Sequence, residues 1–127
     1  MMRDLESRAD IEMLLRDFYR QAFADESIGP FFTEVVPLDL ATHLPVITDF
    51  WASIVFGTPY AKNVMAVHAD IHRKEPIRKE HLERWVSLFT ATVDAHFEGP
   101  RATLMRQRAR SVATLMDIKL NHPKPGL

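Results

Sequence analysis

The sequence predicts an all-α fold, and three observations support this prediction. Apolar residues recur at spacings of three and four along most of the chain, as on one face of a helix. Alternation of apolar and polar residues, the pattern of a half-buried strand, is nearly absent. Glycine and proline lie between the apolar stripes, where helices end. With 127 residues, we expect one domain of about five helices, ordered from about residue 8 to residue 120 and followed by a tail at 122–127.

The first two predicted helices both end at a glycine close to a proline. The first should begin near Ser7 or Asp10, either of which can act as an N-cap, and should stop at 28–30, where Ile-Gly-Pro follows. The second should begin near Thr42, with Pro45 in its first turn, and end at 57–59. Their apolar stripes contain Ile11, Leu14, Leu15, Phe18, Ala22 and Phe23, and then Leu44, Ile47, Phe50, Trp51, Ile54 and Val55.

Three further helices are predicted in the second half of the chain. A short one covers about 64–74, because Pro76 disfavours helical geometry at the residue before it. A long one carries apolar residues from Leu82 to Phe97, and Gly-Pro closes it at 99–100. The last one covers about 101–120 and is expected to turn these residues inward: Leu104, Met105, Val112, Leu115 and Met116.

Composition excludes several classes of function. The formal net charge of −1 gives no strong field for nucleic acid or an anionic membrane, so we expect neither as a partner. The absence of cysteine removes disulfides, thiolate nucleophiles and sulfur-ligated metal sites. No stretch approaches the roughly 18 apolar residues of a membrane span, and the charged N-terminus does not resemble a signal peptide. We therefore expect a cytoplasmic protein.

The predicted helix stripes are rich in aromatic rings, and some of these rings have polar tips. Filling of the core is the simplest explanation for any single ring. Tyr19 and Trp85 nevertheless bring an O–H and an N–H, and His43 lies one turn before Ile47 on the second stripe. Buried polar tips need hydrogen-bond partners. A bound ligand would supply a shared acceptor for these three side chains.

The stretch VHADIHRKEPI contains two histidines, His68 and His72, on one face of the short helix. A zinc site of the H-E-x-x-H type would use both, but the residues between them are Ala, Asp and Ile, so that motif is not met. Solvated histidines on a charged helix are the alternative for this pair.

The order of several segments resembles the third group of truncated haemoglobins. The segments are DFYRQAFADESIGPFF, HLPVITDFWASIVFG and HLERWVSLF, and the match runs from about Ile11 to Met116. The absence of a Gly-Gly pair agrees with this group. The resemblance implies a truncated globin fold, a two-over-two helical sandwich that encloses haem b with its iron.

The resemblance also implies roles for individual residues. Tyr19, Trp85 and His43 match positions that stabilise a diatomic ligand on the distal side. The walls of the haem pocket would come from Phe32, Ile47, Trp51 and Phe89. Arg73, with Lys62 and Lys74, flanks the short helix where the haem propionates would emerge.

The resemblance implies that one of the two histidines of the short helix ligates the iron. His72 lies 13 residues before Trp85 and His68 lies 17, and the family keeps this stretch short, which favours His72. The pattern Met65-x-x-His68-x-x-Ile71 resembles the usual proximal segment and favours His68. We predict His72 as the ligand, with His68 one turn back near the haem edge, and His68 stays open as the alternative.

The resemblance implies a haem protein that binds O₂ and other diatomic ligands. The polar distal side favours chemistry with O₂ or nitric oxide over transport, with nitric oxide dioxygenase-like and peroxidase-like turnover as candidates and an unidentified reductase as partner. A non-enzymatic O₂ carrier, store or sensor is the second hypothesis. A cofactor-free helical interaction module is the third.

Overall fold

Five α-helices and one π-helical turn form the regular secondary structure of the described residues. A computed structural model describes residues 2–60 and 64–122. Its helices are α1 (Arg8–Ala24), α2 (Leu40–Phe56), α3 (Val64–Lys74), α4 (Lys79–His96) and α5 (Pro100–Asn121), and the π-helical turn covers Phe31–Val35. The all-α prediction and the bounds of the short helix are confirmed. Lys62 and the predicted tail beyond His122 lie outside the described residues.

The helices pack in two pairs, which form two layers. The first pair is α1 with α2, and the second is α4 with α5. The layers meet where α1 packs on α4 and α2 packs on α5. The short α3 connects the layers along the chain and packs against α5. This arrangement is a two-over-two helical sandwich. Across the described ranges, no helix has the length and apolar character needed to cross a membrane.

Only two of the five residues predicted to point inward from α5, Met105 and Met116, are buried. The buried residues of α5 recur at spacings of three and four, and they are Ala102, Met105, Ala109, Ala113 and Met116. Leu115 was predicted to point inward, but it is 50% exposed. The small alanines define the buried face because they let α5 approach its neighbours closely, and Leu115 lies about 100° around the helix from Met116.

Helix α1 ends four residues earlier than the glycine–proline signal predicts. Its last residue is Ala24, and the carboxylate of Asp25 then accepts hydrogen bonds from the N–H groups of Ser27 and Ile28, at 3.0 and 3.1 Å. An aspartate side chain that binds nearby backbone N–H groups stabilises a turn in competition with the helix. The same carboxylate accepts a hydrogen bond from Arg84 of α4 at 2.7 Å, which ties this turn to the second layer.

The N-terminal segment fixes the start of α5. The Asp4 carboxylate accepts hydrogen bonds from the backbone N–H groups of Arg101 and Ala102, both at 2.9 Å. These N–H groups have no partner within the helix, and a negative charge there also interacts favourably with the helix dipole. Gly99 before the helix has φ 141°, and a Cβ at this position would lie 2.6 Å from the Asp4 side chain. The contact therefore requires glycine.

A buried carboxylate holds the same segment to the start of α1. Asp10 is 8% exposed, and its carboxylate accepts hydrogen bonds from Arg3 at 2.6 and 2.7 Å and from the N–H of Glu6 at 2.8 Å. The hydrogen bond from the Arg3 guanidinium is the main reason why the pKa of Asp10 is lowered from 3.8 to about 2. The ionised form of Asp10 is therefore favoured by folding.

Replacement of Asp10 should destabilise the fold more than replacement of an exposed carboxylate. Asp10→Asn removes the charge and one charge-assisted acceptor, and we expect it to lower the free energy of unfolding by about 1–2 kcal/mol, measured by urea denaturation at neutral pH. Asp94→Asn is the matched control, because Asp94 is 62% exposed and its partner among the described residues is Arg106, at 2.9 Å. The control should lose less than about 0.5 kcal/mol.

The difference between Asp10→Asn and the wild type should depend on pH. A carboxylate whose pKa falls on folding contributes stability above its unfolded pKa and loses it as the pH falls. The difference should thus be complete above pH 3.8 and should shrink as the pH falls towards about 2. Equal losses in the two variants at neutral pH would contradict this assignment.

Candidate functional site

A fully buried phenylalanine joins the rings of α1 and α4. Phe18 has no exposed surface, and its ring meets three others edge to face. The ring centroids lie 5.0 Å from Tyr19, 6.3 Å from Trp85 and 5.1 Å from Phe89. Edge-to-face pairs at these distances are favourable beyond the area that they bury. Phe18 thereby fixes the positions of the two polar-tipped rings that the sequence singled out.

A stack of three rings extends from α4 to α2. Phe89 lies between Trp85 and Trp51, with centroid distances of 5.3 and 4.7 Å and interplanar angles of 21° and 22°. Trp51 also meets Phe50 at 5.2 Å, and Phe50 meets Tyr60 at 5.4 Å. The rings of both layers therefore form one continuous network. We refer to Phe18, Tyr19, Trp85, Phe89, Trp51, Phe50 and Tyr60 as the ring network.

The polar tips within this network have no acceptor among the described residues. In residues 2–60 and 64–122, neither the Tyr19 hydroxyl nor the indole N–H of Trp85 donates a hydrogen bond, and both side chains are only partly buried. Burial of the phenol strongly raises the pKa of Tyr19 above its ordinary value of 10.0, so the O–H stays protonated and remains a donor. Phe32 covers the Tyr19 ring edge to face at 5.6 Å. Two hydrogen-bond donors are therefore available to a small ligand.

Other residues predicted for the site lie in different environments. Ile47 is partly buried and packs against the core that contains Phe18 and Phe89. His43 lies in the first turn of α2 and is exposed. Of the three predicted donors, the ring network thus includes Tyr19 and Trp85, whereas His43 lies at the surface. The role predicted for His43 stays a prediction.

The two histidines of α3 are both partly buried. His72 uses its Nδ1 to accept a hydrogen bond from the backbone N–H of Ile77 at 2.9 Å. The carbonyl of Ile77 in turn accepts a hydrogen bond from Asn121 of α5 at 3.1 Å. Ile71 packs against the apolar cluster around Ile77, and so does Trp85. The corner after α3 is therefore fixed to α5, on the side of the molecule where Trp85 lies.

The predicted cationic residue of α3 has an acidic partner. Arg73 forms an ion pair with Asp70, one turn earlier on the same helix. Both side chains are about two-thirds exposed. Exposed pairs of this kind are weak, so the guanidinium can exchange Asp70 for another anion at low cost. This geometry is compatible with the predicted interaction between Arg73 and a haem propionate, which stays a prediction.

A cavity on another face of the molecule does not include the predicted site residues. It has a volume of about 630 Å³ and lies between α4 and α5, with Leu82, Val86 and Ala113 on its apolar floor. Lys79, Glu83, Arg110 and Asp117 are at its rim. The groove is thus lined by charged side chains of both signs.

The fold defines the class of protein to which this chain is similar. No protein-family model and no curated protein matches the sequence. Among solved structures, the crystal structure of a group III truncated hemoglobin from Campylobacter jejuni matches with a TM-score of 0.81 and 24% sequence identity. The match covers 94% of this chain and 95% of the other. The chain therefore has the truncated-globin fold, and the fold implied by the sequence resemblance is confirmed.

The connections within the ring network do not follow from the sequence. Phe18 and Phe50 lie on apolar stripes, where they are indistinguishable from ordinary core residues, and no role was predicted for Tyr60. The sequence feature that could have pointed to Phe18 is its position directly before Tyr19. Its contact with Phe89, however, depends on how α1 crosses α4. Contacts between helices distant in sequence do not follow from the periodicity of either helix.

The two tyrosines should ionise at different pH values. Burial raises the pKa of both, but the Tyr60 phenol is much less desolvated than that of Tyr19. We expect Tyr60 to ionise first in an alkaline absorbance titration, and Tyr60→Phe to remove that first step. Tyr19→Phe should leave this first ionisation step unchanged. If Tyr19→Phe removes the first step instead, Tyr19 is not the more desolvated of the two tyrosines.

The free energy of unfolding at alkaline pH should also depend on the raised pKa of Tyr19. A group whose pKa is raised by folding contributes stability below its unfolded pKa and loses it as the pH rises. Above pH 10.0, the free energy of unfolding should therefore fall more steeply for the wild type than for Tyr19→Phe. Urea denaturation on both sides of this pH measures the two slopes.

Proposed function

We propose that the chain is a haem protein that binds diatomic ligands beside Tyr19 and Trp85. The observation that carries this proposal is the pair of polar-tipped rings, which the ring network holds in place without an acceptor among the described residues. The truncated-globin fold supports it, because the similar structure is that of a hemoglobin. Ligand sites of this kind combine mostly apolar walls with a few polar groups that fix orientation.

The residues present fit haem b. Haem requires apolar and aromatic walls, an imidazole for the iron and cations near the propionates. The predicted walls Phe32, Ile47, Trp51 and Phe89 pack against one core, and helix α3 supplies both imidazoles and Arg73. Haem iron, when bound, supplies the site at which O₂, nitric oxide or a similar molecule binds and reacts.

The hydrogen bond of His72 argues for a different iron ligand from the one that we predicted from the sequence. A neutral imidazole that ligates iron through Nε2 carries its proton on Nδ1 and commonly donates it to a carbonyl. His72 instead accepts the Ile77 N–H on Nδ1, which places the proton of its neutral ring on Nε2. His72 would have to lose this bond before it could bind iron. We therefore propose His68 as the ligand.

Tyr19 and Trp85 would act on the ligand by hydrogen bonding. A partly negative ligand atom in a desolvated pocket is stabilised by donors that are already oriented towards it. The ring contacts of Phe18 provide that orientation for both side chains. Each neutral hydrogen bond contributes about 1 kcal/mol, and 1.4 kcal/mol changes a dissociation constant tenfold. Two donors should therefore slow ligand release by one or two decades.

Slow release favours reaction with the ligand over its delivery. We propose O₂ or nitric oxide chemistry, of the dioxygenase-like or peroxidase-like kind, with a separate reductase that returns the iron to the ferrous state. The exposure of His43 favours the second candidate, a non-enzymatic carrier, store or sensor, because it leaves two donors instead of three in the ring network. The dissociation rate of O₂ distinguishes these functions.

Alanine substitutions of the two histidines test the ligand assignment. The wild type, reconstituted with haem, should show a strong Soret band that survives dialysis. His68→Ala should lose the spectrum of a histidine-ligated haem and recover it with added imidazole. His72→Ala should keep that spectrum and lose about 1 kcal/mol of stability through its hydrogen bond to Ile77. The reverse pattern would establish His72 as the ligand, and a colourless wild type would contradict haem binding altogether.

Phenylalanine substitutions test the distal donors. Tyr19→Phe and Trp85→Phe should each raise the O₂ dissociation rate about 5- to 10-fold, since each removes one hydrogen bond of roughly 1 kcal/mol. Tyr60→Phe is the matched control, because it removes the same hydroxyl group as Tyr19→Phe but outside the proposed pocket. Stopped-flow displacement of O₂ by carbon monoxide measures the rates. Unchanged rates in both pocket variants would favour the carrier.

A further inference from the structure

The ring network contains every tyrosine and tryptophan of the chain. The sequence has two of each, Tyr19, Tyr60, Trp51 and Trp85, and phenylalanines fill the gaps between them. These four are the aromatic side chains that lose an electron most readily. Core filling alone does not require all four to belong to one network, because α1, α2 and α4 also bury leucine, isoleucine and valine.

The network ends at Tyr19 on α1 and at Tyr60 after α2, and both of these side chains are partly buried. Tyr19 and Trp85 belong to the proposed ligand site, and Tyr60 lies at the other end, after the C-terminus of α2. The steps from Trp85 to Tyr60 run through Phe89, Trp51 and Phe50, with centroid distances of 5.3, 4.7, 5.2 and 5.4 Å. Electron transfer between rings slows steeply with distance, so rings in van der Waals contact form a favourable route.

The surroundings of Tyr60 suit a phenol that gives up an electron. Oxidation makes a phenol strongly acidic, and a nearby base that takes its proton makes the loss of the electron easier. Asp49 lies close enough for its negative charge to contribute to the raised pKa of Tyr60. That carboxylate is held by Arg8 of α1 at 2.5 Å and is 55% exposed, so a proton that it accepts can pass to solvent.

We propose that Tyr60 is a surface oxidation site, at which a small phenolic or enediol reductant delivers electrons to the ligand site along the ring network. This inference rests on the proposed function for its oxidant, which is hydrogen peroxide reacting at the haem. Tyr60 loses one electron to an oxidised Trp85 and one proton to Asp49 or solvent, which leaves a neutral phenoxyl radical. A reductant molecule restores the phenol by giving one electron and one proton.

The overall reaction balances when two electrons pass, one after the other, from Tyr60 along the ring network. One hydrogen peroxide takes up two electrons and two protons and becomes two water molecules. Two reductant molecules each lose one electron and one proton through Tyr60. Without a reductant, the phenoxyl radicals of two chains can couple, and the product is a dityrosine-linked dimer. Tyr19 is shielded by Phe18 and Phe32, so a link between chains reports on Tyr60.

Dityrosine formation in the haem-loaded protein tests the proposal. On addition of hydrogen peroxide, the wild type should give a tyrosyl radical in electron paramagnetic resonance and a fluorescent dimer on a denaturing gel. Tyr60→Phe should lose both signals. Phe50→Leu should weaken them, since it removes the ring between Trp51 and Tyr60. Phe23→Leu is the matched control, because Phe23 contacts Tyr19 and Phe32 but lies outside the route.

A second measurement separates this inference from haem binding. Pulse radiolysis with azide radicals oxidises tryptophan in the full chain without any haem. The decay of the indolyl radical should be first order and should match the rise of a phenoxyl radical, and Tyr60→Phe should remove that rise. If Tyr60→Phe leaves the phenoxyl radical unchanged, the route is wrong even where haem binds. If the rise is present and haem does not bind, the proposed function fails and the route stands.

Discussion

The contact between α1 and α4 through Phe18 is the constraint on which the rest of the site depends. This ring is fully buried where the two layers of the sandwich meet, and it touches Tyr19, Trp85 and Phe89. A close-packed interior transmits changes in shape, so a smaller side chain at this position would release all three neighbours together. The position of the hydrogen-bond donors is therefore a consequence of how the layers pack.

The short helix α3 is fixed by a different kind of interaction. It contacts α5 and ends at a corner where the backbone of Ile77 is held on both sides, by His72 and by Asn121. Asn121 is held in turn by Asp117 at 2.8 Å. These polar links are directional, whereas the apolar packing of a short helix restrains its rotation weakly. His72 can thus set the orientation of the helix.

The sequence predicted helices well where local signals decide their ends. Proline at position 76 and glycine at position 57 act within one turn, so α3 and the end of α2 were placed closely. The end of α1 was missed because the Asp25 side chain competes for backbone N–H groups before the glycine is reached. Tyr19 and Trp85 could be selected because a polar tip on an apolar stripe is unusual at any position.

Other parts of the site could not be predicted because they depend on neighbours distant in sequence. The period of α2 places His43 four residues before Ile47, but whether that edge of the helix is covered depends on the neighbouring segments, and it is exposed. Residue spacings on either side of α3 gave opposite answers for His68 and His72. Our proposal of His68 rests on the hydrogen bond from Ile77 to His72, which forms only when the corner after α3 folds.

The donors of the site are surrounded by rings, which hold them in place without offering an acceptor. Tyr19 and Trp85 are only partly buried, and among the described residues no fully buried polar side-chain atom lacks a partner, so these donors do not carry the cost of an unpaired buried group. Aromatic pairs contribute about 0.5–1.5 kcal/mol each beyond their area, and Phe18 and Phe89 together make five such contacts with Tyr19, Trp85, Trp51 and each other. A polar neighbour could accept the hydrogen bonds of the donors and so compete with a ligand. The aromatic surroundings thus keep Tyr19 and Trp85 available to a ligand.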